Sequence, residues 1–199
     1  MIRTAVVTLS IATACALPAA LAQEAQQAEM TPEQAAMMQA YIAAGTPGAQ
    51  HAQMASTAGE YDLAIRNWDA PGAPPSEESG TATRRMVLGG RVLVEQVSAQ
   101  MHGQSFDGHG MTGYDNVSGK WWSTWNDSMS TGLMVSSGEC DDAGACTFTG
   151  SWMDPVSKQE TSARFTTRWT SPSTEVFEMY GPGPDGAEYK MMEMTYTRR

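Results

Sequence analysis

The sequence predicts a mainly β protein: an antiparallel up-and-down barrel of about 8–10 strands preceded by an N-terminal helix. Three observations lead there. From Gly59 onward, segments of about 7–12 residues rich in Thr, Val, Tyr, Phe and Trp alternate with clusters of Gly, Pro, Asp and Asn. No helix-length insertion separates them, which excludes βαβ units. The clusters "DNVSGK", "DDAG", "MDPVSKQ" and "GPGPDG" supply the residues that tight or positive-φ turns require.

Taken in order, the chain opens with a secretory pattern. Arg3 is a basic start, residues 5–17 are apolar, and Ala20-Leu21-Ala22 matches a small-x-small cleavage site, so a signal peptide spanning 1–22 is expected to be cut after Ala22. Cys15 has Ala12, not a bulky aliphatic residue, upstream, which disfavours lipid attachment. The expected address is the periplasm or the extracellular space. Residues 23–58 form a polar lead-in followed by helical segments, and 59–199 form the β domain. Thr31-Pro32-Glu33-Gln34 combines a capping residue, an N1 proline and a capping-box glutamine, so a helix is predicted over 32–44, ending at Gly45. Met38, Tyr41 and Ile42 form its apolar stripe, and the helix is expected to cover one end of the barrel. Residues 49–56, with His51 and Met54, read as a further helical turn.

Strands are predicted near 60–68, 79–88, 91–102, 106–115, 119–127, 132–140, 145–153, 159–170, 174–181 and 187–198. In "KWWSTWND", Trp121, Ser123, Trp125 and Asp127 share one face and Trp122, Thr124 and Asn126 the other. That is the pattern of a wall strand with a polar handle near its end. In the last three strands one face is apolar and the other mixes charges with aromatic rings. Directing the mixed face inward would let Arg164, Arg168, Glu178, Glu193 and Asp127 pair around a small ligand or water.

The chain has 12 Lys and Arg against 22 Asp and Glu, a net charge of −10, which becomes −11 when Arg3 leaves with the leader. An acidic surface without basic clusters argues against nucleic acid as partner. No apolar run reaches membrane length, so no membrane insertion is expected after cleavage. Cys140 and Cys146 flank Asp-Asp-Ala-Gly, a hairpin turn, and an oxidising compartment would close them into a disulfide.

The stretches "GTATRRMVLGGRVLVEQ", "MTGYDNVSGKWWSTWNDSMSTGLMVSSGE", "MDPVS" and "FEMYGPGPDGAEYKMMEMTYTR" resemble a bacterial family of uncharacterised domains grouped with lipocalin-like (calycin-type) barrels. The likeness runs over about residues 48–198. "PGAQHAQMASTAGEYD" is similar to the family's start, with Tyr61 where Trp is usual, and relatives usually lack the cysteine pair. The resemblance implies a β-barrel and no reaction.

Candidate chemistry is sparse. Ser128 and Ser130 lie near Asp127, but no nucleophile elbow or partner His accompanies them. His102 and His109 flank "GQSFDG", which could bring two imidazoles and Asp107 together over a hairpin, a weak ligand set for a metal. The abundant methionines, including Met191, Met192 and Met194, suit core filling better than Cu(I) binding, because strand alternation splits them. No cofactor or metal is expected. The expected function is binding of a small molecule in a polar-aromatic lumen lined from the pool His51, Trp68, Arg85, Trp125, Asp127, Arg164, Arg168, Glu178 and Tyr196. The alternatives are an enzyme using His51 or Asp127 as base, and an interaction module with a filled barrel.

Overall fold

The computed structural model describes residues 30–199. The leader and the cleavage site at Ala22 lie outside the described residues. The chain divides into two units, Met1–Met38 and Gln39–Arg199. In the first, the capping box forms: Gln34 N–H donates to Thr31 Oγ1 at 3.2 Å and Thr31 N–H to Gln34 Oε1 at 2.9 Å.

Among the described residues, two helices, α1 (Pro32–Gly45) and α2 (Ala49–Ser56), precede ten strands. These are β1 (Gly59–Asn67), β2 (Ser76–Val87), β3 (Val92–Met101), β4 (Gln104–Asp115), β5 (Lys120–Asp127), β6 (Met134–Cys140), β7 (Cys146–Met153), β8 (Glu160–Ser171), β9 (Thr174–Pro182) and β10 (Glu188–Arg198). Each strand pairs antiparallel with the next, and β1 also pairs with β10, from Tyr61 opposite Arg198 to Asn67 opposite Met192, closing the barrel. Closure leaves no edge unpaired among the described strands. All ten strands fall where turn clusters and alternation place them. The second predicted helical turn is α2.

Alternation sets the wall. In β1, Tyr61, Leu63, Ile65 and Asn67 are buried while Asp62, Ala64 and Arg66 are exposed. Following the register around the barrel puts Ala82 and Val97 on the same inner face, with Tyr196 completing it from β10. Tyr61, Leu63, Ile65, Ala82, Val97, Ala99 and Tyr196 form one core cluster. Trp125 lies against β4, where a Cβ on Gly108 would sit 2.3 Å from the ring. Glycine there lets the indole lie flat on the inner wall.

The expected cover is corrected. None of the residues of α1 is buried, and Tyr41 and Ile42 are exposed. The capping element is α2, whose Met54 packs with Leu93 and Trp121 inside one mouth. The tail of α1 is held by side chains of two turns: Asn116 Nδ2 donates to the carbonyl of Thr46 at 2.8 Å, and Arg91 Nε to that of Gly45 at 2.8 Å. Backbone carbonyls at a helix end accept such donors because they have no intrahelical partner. Cys140 and Cys146 are cross-strand partners joined by a disulfide.

The expected direction of the mixed faces is also corrected. Arg164, Arg168 and Glu178 point outward, as does Arg85. The register places Phe165, Thr167 and Trp169 of β8 and Phe177 and Met179 of β9 inside. The physical reason is desolvation. Outside, the charges pair laterally across neighbouring strands and stay hydrated, whereas burying each ion would cost several kcal/mol. Arg168 contacts Glu178 at 2.7 Å, Lys190 contacts Glu178 at 3.0 Å, and Arg164 contacts Glu188 at 2.7 Å. The aromatic rings of this wet face carry the cations: Arg164 lies 4.2 Å from the Tyr180 ring centroid, and Trp68 lies beneath Arg66 and Lys190.

Burial pushes the Glu178 carboxyl up, but hydrogen bonds from Lys190 and Arg168 outweigh it and hold its pKa below the ordinary value. A carboxylate with a depressed folded pKa stabilises the fold above its unfolded pKa, and that contribution disappears as pH falls through the folded value. Wild type is therefore expected to be more stable than Glu178→Gln at pH 7, by about 1 kcal/mol or less for so hydrated a network. The gap should close on acidification below about pH 4. Urea titrations from pH 7 to pH 3 measure it, and a gap that is constant with pH refutes the assignment.

Candidate functional site

Among the described residues, the inner wall carries an ionic centre built on Arg84. Arg84 of β2 is the cross-strand partner of Glu95 on β3, and its Nε donates to Glu95 Oε1 at 2.7 Å. Its guanidinium then spans β1 and β10 to donate through Nη1 to Glu175 of β9. On the way it lies 5.1 Å from the ring centroid of Tyr61 and 4.3 Å from that of Tyr196. The arginine side chain is 9% exposed and Glu175 7%. Burial works against the charge on Arg84, but the fields of Glu95 and Glu175 outweigh it and raise its pKa well above the ordinary guanidinium value. Burial likewise raises the Tyr196 phenol well above its ordinary pKa, keeping it neutral.

Above this centre sits the α2 mouth. Tyr61 Oη donates to the Thr57 carbonyl at 2.5 Å, and Arg198 donates to the carbonyls of Ala58 and Ser56, both at 2.8 Å. These bonds tie the end of α2 to the barrel rim. His51 is 5% exposed, accepts the Gly48 N–H at Nδ1 over 3.0 Å, and meets the Tyr114 ring edge-on. Accepting at Nδ1 leaves the proton of the neutral imidazole on Nε2.

The other end is lined by Asn67 and Glu78. Asn67 Nδ2 donates to Glu78 Oε2 at 2.7 Å, and the His102 backbone N–H donates to Oε1 at 2.6 Å. Asp127 shares this half of the lumen; it accepts Trp125 Nε1 at 2.9 Å and the Met129 N–H at 3.0 Å.

The predicted pool therefore splits. Trp125, Asp127 and Tyr196 face the lumen, and His51 lies buried in the mouth helix. Arg85, Arg164, Arg168 and Glu178 are on the outer wall, and Trp68 follows β1 among outer cations. His109 and Asp107 also lie on the outer face, with Asp107 accepting from Ser98. Among the described residues, no group of three His, Cys, Asp or Glu is placed to hold a metal ion.

Arg84, Glu95 and Glu175 were missed, although a signal existed. Arg84 is in phase with Ala82 and Met86, whereas Arg85 is in phase with Thr81 and Thr83. Glu175 is in phase with Phe177 and Met179. A charge in the apolar phase of a strand is the mark of a buried ion. For Glu95 the mark is blurred by Val92-Leu93-Val94, which is apolar on both faces.

Residues 46–198 match a family described as "Protein of unknown function (DUF1579)". No curated protein matches the sequence. Among solved structures the chain is similar to a redesigned beta barrel at 11% identity and a TM-score of 0.40, over 74% of this chain and 95% of that one. It is also similar to a protein of unknown function from the DUF3598 family of Nostoc punctiforme, at 8% identity and a TM-score of 0.23, over 77% of this chain and 100% of that one.

Proposed function

Since the chain belongs to the DUF1579 family, whose function is unknown, we propose from its own geometry that it is an exported protein that binds a small molecule inside the barrel. The observation that carries this reading is Glu95. It points into the closed barrel beside a buried arginine, yet 19% of its side chain remains accessible. Phe106, Trp125, Trp169, Phe177 and Met194 also point inward and are only partly buried. Their partial exposure supports an interior that side chains do not completely fill. Eight strands enclose an interior just wide enough for side chains to fill, and diameter grows with strand number, so ten strands leave additional room. Export is supported by the leader pattern at residues 1–22 and fits the disulfide.

The test is titration with 1-aminoanthracene, a neutral dye that brightens in apolar surroundings. Saturable enhancement at one dye per chain, with energy transfer from tryptophan, is expected. Ala99→Phe, which narrows the lumen beside Met101 and Phe106, should weaken binding by about ten-fold or more. Absence of any saturable signal in the wild type overturns the reading.

A further inference from the structure

We propose that the lumen selects an organic ammonium ion, an amine or quaternary ammonium carried on an apolar body; this rests on the lumen being a ligand site. The argument is the charge of the inner wall. Four carboxylates face inward, Glu78, Glu95, Asp127 and Glu175, against two bases, Arg84 and Arg198. The interior is thus two charges negative among the described residues. Neither base is available to an anion. Arg84 is held between Glu95 and Glu175, and Arg198 donates to the backbone carbonyls that anchor α2. A carboxylate or phosphate ligand would have to displace a glutamate from Arg84 and would add a third negative charge to a low-dielectric space.

A cation meets the opposite situation. Glu95 accepts from Arg84 at Oε1 only, and its second oxygen receives no hydrogen bond among the described residues. Its side chain is 19% accessible, against 9% for Arg84 and 7% for Glu175. Its cross-strand partner is Gly110, and the Trp125 ring lies against that glycine, 3.2 Å from where a Cβ would sit. A carboxylate oxygen beside an indole face is the pairing that holds ammonium groups, through charge and through the ring quadrupole.

The experiment uses three probes with the same tail, dodecyltrimethylammonium, dodecanol and dodecanoate, below their aggregation concentrations, competing with 1-aminoanthracene on the full barrel. The cation is expected to compete about ten-fold more strongly than the alcohol, and dodecanoate least. Glu95→Gln should erase the advantage of the cation and leave the alcohol unchanged. Glu139→Gln, which removes an exposed outer carboxylate paired with Lys120, should change none of the three. Equal or better competition by dodecanoate, or a cation preference that survives Glu95→Gln, overturns the proposal while the lumen reading stands. If Glu95→Gln does not fold, the wild-type ranking of the three probes decides. Failure of the dye and all three probes to bind overturns the lumen reading itself.

Discussion

Arg84→Met is expected to lower the unfolding free energy by about 3–5 kcal/mol at neutral pH. The substitution conserves much of the volume, so the loss is electrostatic. Glu95 and Glu175 would remain as like charges facing the same interior, with the base that pairs with both of them gone. Breaking a buried ion network from one side costs far more than the network itself contributes, because both carboxylates lose their partner and Glu175, 7% exposed, cannot turn to water instead. Adding Glu175→Gln to Arg84→Met should restore a large part of the loss, since it removes one of the stranded charges. Arg85→Met, one residue along on the outer wall, should change stability by about 0.5 kcal/mol or less. Urea unfolding followed by tryptophan fluorescence measures all three. A loss below about 1 kcal/mol for Arg84→Met would show that water or rearrangement already serves the two glutamates.

Neighbouring tryptophans should behave very differently. Trp121→Ala is expected to cost about 3–5 kcal/mol, the range for removing a buried aromatic ring. Trp121 is 6% exposed and packs with Met54 and Leu93, with the Tyr114 ring at 5.4 Å. Its loss would also undo the seat of α2, so protection of the α2 amides from hydrogen exchange should fall. Trp122 faces outward and covers Gly113, where a Cβ would come within 2.3 Å of the ring. Trp122→Ala should cost about 1–2 kcal/mol, because only one side of the ring is packed, and α2 should keep its protection. Similar losses for both variants would mean that the strand does not present its two faces as described.

Much of the architecture was legible in the sequence because strands and turns are encoded locally. Gly, Pro, Asp and Asn clusters mark where the chain must reverse, and ten wall segments lie between them. The capping box at Thr31 is likewise a four-residue signal that needs no distant partner. The facing of the last three strands was harder, because the mixed face contains Tyr180 and lies near Trp68. Aromatic rings beside charges suggested a lumen. Their role is to lie flat under outer-wall cations.

By itself the sequence determined the number and order of the strands, where along the chain the two helices form, the cysteine pair across its turn and which side chains share a face. Period-two alternation and turn stereochemistry carry that information within a dozen residues. Tertiary structure alone decided which face turned inward, that α2 and not α1 stops the mouth, and that Arg84 reaches Glu175 ninety-one residues away. Those outcomes depend on the closure of β1 against β10, which brings distant strands together and makes desolvation, not local propensity, choose the few ions the interior keeps.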